Sequence, residues 1–150
     1  MKKLVPLTIL AVIVASAAFA HEGHDHATGI VKERMITMTS LGERLLAISK
    51  RLRANKDLDK IAGDAHVIHE FAAKISKQFP PGSTQYPTAA KPAVWQDWAT
   101  FENNAKALET EAEKLMNVKA SDGAALRAQF RVVAHACDGC HETFRVPKEK

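Results

Sequence analysis

The sequence predicts an all-α fold, an antiparallel up-and-down four-helix bundle. Three observations carry that expectation. Apolar residues recur in steps of three and four along four segments, which places each set on one stripe of a helix. Capping residues, prolines and short polar linkers punctuate the segments. No stretch shows the two-residue alternation of a half-buried strand.

The first segment carries Val31, Met35, Met38, Leu41, Leu45, Ile48 and Leu52, with Thr28 placed to cap it. The second runs Leu58, Ile61, Ala65, Ile68, Ala72, Ile75 and Phe79 behind Asp57. The third runs Val94, Trp98, Phe101, Ala105, Leu108, Ala112 and Leu115, with Pro92 suited to its first turn. The fourth runs Leu126, Phe130, Val133, Cys137, Cys140 and Phe144, with Ser121 as its expected cap. "ANKD" joins the first two and "VKASD" the last two, linkers short enough to make each pair antiparallel neighbours. "PPGSTQYPTAAKP", residues 80–92, holds four prolines and connects the two hairpins as a loop. Core-facing alanines at 65, 72, 105 and 112 would under-fill a bundle packed by side chains alone and leave room for a large flat ligand.

The domain organisation reads as 1–20 signal peptide, 21–28 His-rich leader and 29–146 bundle. "MKKLVPLTILAVIVASAAFA" opens with Lys2 and Lys3, continues in an uncharged apolar run and ends in Ala18-Phe19-Ala20, the pattern of a cleaved export signal. No stable membrane span remains after cleavage, and a periplasmic location follows from export. Removal of Lys2 and Lys3 lowers the formal charge of the 150-residue chain from +4 to +2, a balance that gives no reason to expect nucleic acid as a partner.

The chain has two cysteines, both in "CDGCHETFR" at 137–145. In an oxidising compartment two thiols normally pair, unless something else uses them. A disulfide between residues three apart on a helix closes too small a loop to gain much chain entropy. A thioredoxin-like dithiol expects a neighbouring βαβ pattern, and a structural zinc site expects a second ligand pair. Covalent haem attachment fits: Cys137 and Cys140 fall on the core stripe a turn apart to take the two vinyl groups. His141 follows on nearly the same face to reach the iron. One haem c is therefore the expected cofactor. A core-facing Met38, or less directly Met35, offers a soft thioether as a second axial ligand, although either is equally readable as core filling.

The C-terminal motif "CDGCHETFR", with "TGIVKERMITMTSLG" at 28–42 and "KPAVWQDWATFENNAKAL" at 91–108, resembles the cytochrome c-prime family, the class II c-type cytochromes. The resemblance spans about Ala27 to Arg145. It implies thioether links at Cys137 and Cys140, a proximal iron ligand at His141, and Met38 at the position facing the distal side of the iron. Arg34 matches an arginine near the haem propionates, and Arg145 matches a basic residue beside the proximal histidine. The family divides into a high-spin branch, which binds nitric oxide or carbon monoxide, and a low-spin, Met/His-ligated branch, which carries electrons. "MTSLG", with Gly42 one turn after Met38, looks more like the low-spin branch. The expected function is thus a one-electron carrier serving redox partner proteins, with gas binding at the distal haem face as the alternative. The resemblance also admits a homodimer through the first two helices.

Other signals are weaker. "HEGHDH" at 21–26 could chelate copper or zinc through His21, His24 and His26, or simply form a polar leader. His66 and His69 in "HVIHE" match neither zinc-hydrolase order. Trp95, Trp98 and Phe101 read as core or haem-packing groups. No nucleophile–base pairing or phosphate-binding glycine loop is evident, so no enzyme activity is expected.

Overall fold

In a computed structural model, residues 27–147 are described. Residues 1–20, read from the sequence as a signal peptide, and the histidines of 21–26 lie outside the described residues. The elements are α1 (Gly29–Ala54), α2 (Ile61–Ala72), α3 (Ala93–Gln96), α4 (Trp98–Met116) and α5 (Gly123–Phe144). α4 packs against both α2 and α5, while α1 rests mainly on α2 and only lightly on α5. The bundle is therefore tight on one side and parted between α1 and α5. No helix among the described residues is long and apolar enough to cross a membrane.

The seams predict the core well. Ile48, Ile61, Ile68, Leu115, Leu126 and Val133 are all almost wholly enclosed. Each such side chain contributes roughly 1.5–3 kcal/mol on removal from water. Outside the apolar core, the Asp64 carboxylate on α2 is buried and receives hydrogen bonds from Arg44 and Arg51 of α1, tying the first hairpin together.

The alanines answer differently from the expectation. Ala65, Ala72 and Ala112 sit in the core shared by α2 and α4, the most closely associated pair of helices, and only Ala105 borders open space. Three of the four small side chains thus let two helix backbones approach rather than make room for a ligand.

Helix boundaries also shift. α2 ends at Ala72 and tightens into a 3₁₀ turn at Ser76–Gln78, because Pro80 disfavours helical geometry at Phe79. The third segment is two helices. Asp97 leaves helical geometry (φ −126°, ψ 61°), and its carboxylate accepts from the Thr100 amide at 3.4 Å to cap α4. That break ends the continuous stripe from Val94 to Trp98, so Val94 is buried while Trp98 is 36 % exposed. α5 is capped by Asp122, which accepts from the Ala125 amide at 2.9 Å, and not by the neighbouring Ser121. Thr28 occupies the N-cap of α1 without a side-chain hydrogen bond, and Asp57 precedes a 3₁₀ turn in left-handed geometry.

The long loop is anchored to the far end of the bundle. Lys91 N donates to Phe144 O at 2.9 Å and Val146 N to Ala89 O at 2.8 Å, with Ala90 and Arg145 forming an isolated antiparallel bridge. The segment leaving α5 is thereby fastened to the loop that joins the two hairpins.

Candidate functional site

Where α1 and α5 part, the bundle encloses a cavity of about 610 Å³, well within the range of cofactor sites. Cys137, Cys140 and His141 reach it from α5, Met38 and Arg34 from α1, and Arg145 from the segment beyond α5. All six residues singled out from the sequence line this one space. Met35 lines it as well.

Each side chain is placed by its own helix register. Cys137 and Cys140 are half-buried, three residues apart on the inner face of α5, and form no disulfide. Burial, with the nearby Asp138 and Cys140 adding, pushes the Cys137 thiol up to about 11, and burial raises Cys140 too. Reactive redox dithiols lie below the ordinary value of about 8.5, so this environment is the reverse of a thioredoxin-like site. His141 is exposed and stands at the edge of the cavity in the last turn of α5. Its exposure differs from the expectation that all three groups would point inward, because the helix turns 100° per residue and Cys140 occupies the inner position.

Arg34 is 95 % enclosed. Every nitrogen of its guanidinium donates: Nε and Nη2 to Gln78 O at 3.1 and 2.8 Å, Nη2 to Ser83 Oγ at 2.8 Å, and Nη1 to Thr88 Oγ1 at 2.9 Å. Its face lies over the Phe79 ring, 3.8 Å from the centroid. These acceptors are all neutral, and no carboxylate among the described residues pairs with it. Burial accordingly lowers its pKa. A buried guanidinium with its hydrogen bonds satisfied still leaves a net positive charge at the cavity wall.

The rest of the lining is apolar and aromatic. Phe101 touches Phe79 at 4.8 Å and Phe144 at 5.4 Å between ring centroids, and all three border the cavity. Trp95 and Trp98 do not line it. The Trp95 indole donates to Phe79 O and Pro80 O, and Trp98 packs against Phe101 at a tilt, with ring centroids 5.5 Å apart. What sequence reasoning missed is the loop: Pro87, Thr88, Ala89 and Ala90 form one wall, as does Asn104 of α4. A loop rich in proline and alanine carries no periodicity that could announce such a role.

The donor set suits a covalently attached haem. Two free thiols on one helix, a histidine beside them and a thioether on another helix share one largely apolar enclosure. Residues 29–145 match the family described as "Cytochrome C'". The chain belongs to the cytochrome c' family. Proteins of this family bind haem c covalently, and the cysteines and histidine at 137–141 are the attachment motif. A cytochrome c-556 from Agrobacterium tumefaciens (strain II Chrys) is 31 % identical over 122 residues, covering 80 % of this chain and 99 % of that one. The solved cytochrome c' of Rhodopseudomonas palustris superposes with a TM-score of 0.75 at 28 % identity, covering 82 % of this chain and all of the other. A nitric oxide complex of a variant cytochrome c prime from Alcaligenes xylosoxidans superposes at 0.71 with 26 % identity, covering 79 % of this chain and 94 % of the other. The cytochrome c' neighbours agree with the helical bundle described above.

Proposed function

We propose that this protein is an exported, monohaem one-electron carrier of the low-spin kind, with His141 and Met38 as axial ligands. The observation that carries the reading is that Met38, on α1, borders the same cavity that Cys137, Cys140 and His141 enter from α5. Bound haem supplies a one-electron iron couple, whose potential His/Met ligation raises. The chain's own residues do the rest. Cys137 and Cys140 fasten the group to α5, His141 and Met38 hold it from two helices, and the aromatic floor excludes water. Arg34 and Arg145 contribute positive charge to the propionate carboxylates, Arg34 through its charge alone because its donors are already engaged. Holding the site from both α1 and α5 limits rearrangement when an electron arrives. We read the protein as a carrier for periplasmic redox proteins and not as an enzyme. Mass measurement of the mature chain, expected to begin at His21, tests its export.

The absorption spectrum tests the ligation. The reading expects a low-spin spectrum with a methionine-to-iron charge-transfer band that Met38→Ala abolishes and Met35→Ala leaves intact. A high-spin ferrous spectrum in the unaltered protein, shifting at once with carbon monoxide, would overturn it. That outcome would favour gas binding at the distal face, a second reading supported by the nitric oxide complex of the Alcaligenes xylosoxidans relative. A homodimer through α1 and α2 belongs to the same proposal, since α1 presents Ile36 and Leu46 to solvent at 53 % and 51 % exposure. Sedimentation of the protein with Leu46→Glu tests it.

A further inference from the structure

We infer that Arg34 is a positioning residue that straps the 79–91 loop across the cavity and, through that loop, links the helix carrying Met38 to the end of the helix carrying His141. Direct packing between α1 and α5 is slight, so something else must hold the two walls in register. The hydrogen bonds run without interruption. Arg34 of α1 donates to O of Gln78, the last residue of the 3₁₀ turn after α2, and to Ser83 O and Oγ and Thr88 Oγ1 in the loop. Thr88 Oγ1 also accepts from Ala90 N at 3.2 Å. Ala90 bridges Arg145, and its neighbours Ala89 and Lys91 exchange backbone hydrogen bonds with Val146 and Phe144. Lys91 Nζ adds a bond to Glu142 O at 2.9 Å. From α1 to the residue after Phe144 there is thus one continuous polar connection along the cavity wall.

The fork of the guanidinium is what makes the strap possible. Five N–H groups in a plane reach the 3₁₀ turn and two points of the loop at once, which an ammonium on a single stem does not do. Because the acceptors are neutral, the strap needs no bound anion to form. It also holds whether or not Met38 ligates iron, so it stands apart from the proposed ligation.

The test compares holo-protein variants on the two sides of the strap: Arg34→Gln and Arg34→Lys on α1, Ser83→Ala and Thr88→Val in the loop. The readouts are amide exchange at Lys91 and Val146 and the rate of carbon monoxide association to the reduced protein. All four variants are expected to speed exchange at those two amides by about tenfold or more, as loss of buried charge-assisted hydrogen bonds implies, while core amides of α2 and α4 stay unchanged. Carbon monoxide association should rise with them, and Arg34→Lys should not rescue. If the Arg34 variants change these readouts while the two loop variants do not, the effect of Arg34 does not run through the loop and the strap is wrong. Faster exchange spread evenly over the whole chain would equally overturn it. Ser83→Ala and Thr88→Val keep the guanidinium in place, so the comparison survives if Arg34→Gln fails to fold.

Discussion

Asp64 of α2 accepts a hydrogen bond from Arg44 of α1 at 3.3 Å, and the same carboxylate also takes Arg51. The acid is almost fully enclosed, whereas its partners keep part of their surface in water, 43 % for Arg44 and 25 % for Arg51. Removing the acid leaves two guanidinium groups of α1 without the carboxylate they share across the hairpin. Asp64→Ala should therefore destabilise the holo-protein by about 2–3 kcal/mol, below the full cost of breaking a wholly buried pair because the partners can rehydrate. Urea unfolding checks this, with the haem spectrum expected to stay unaltered before the transition.

Covalent attachment gives a chemical prediction. Changing both Cys137 and Cys140 to Ser should leave pigment that acidified organic solvent extracts, while either single change should retain one thioether and resist extraction. Visible absorption of the precipitated protein decides the matter. A colourless double variant would mean that the thiols also govern uptake of the group.

The thiol environment predicts a pH dependence before attachment. Burial disfavours the thiolate, so in the haem-free chain the Cys137 thiol should ionise near pH 11 and not at the roughly 8.5 of an exposed cysteine. Iodoacetamide labelling followed by mass spectrometry should show a rate that climbs through pH 9 to 11. A midpoint near the exposed value would indicate that the pocket around α5 forms only once the haem is in place.

Core packing predicts the largest single loss of stability away from the site. Ile68 is entirely enclosed between α2 and its neighbours. Ile68→Ala should cost about 2–5 kcal/mol, the range for deleting a buried aliphatic side chain, whereas the exposed Val132→Ala should change stability by less than about 0.5 kcal/mol. Denaturant unfolding of the two variants side by side measures the contrast.

Particular residues show how much could be read in advance. Val31, Leu41, Ile48 and Leu52 are buried as their three-and-four spacing requires, because a helix repeats its faces on a fixed angle whatever surrounds it. The six site residues meet for a similar local reason: each lies on the inner stripe of its helix or just beyond its end, except His141, which the helix register sets at the cavity edge. Trp98 departs from its stripe because Asp97 interrupts the helix, a choice between capping and continuation that composition does not settle. Three of the four alanines serve close packing of α2 on α4, which depends on which helices become neighbours and not on any one helix.

Periodicity and the quoted motifs were enough to indicate a bundle of amphipathic helices, a haem-binding family and the six residues that line the cavity, since these rest largely on spacings within a helix. Only the tertiary structure decided that the 79–91 loop forms a wall of the cavity, that Arg34 spends its hydrogen bonds on neutral oxygens of that loop, and that the segment after α5 pairs with it. Those contacts join residues about 44 to 57 positions apart, and hydrogen bonds over such distances are set by how the hairpins dock, which no local spacing encodes.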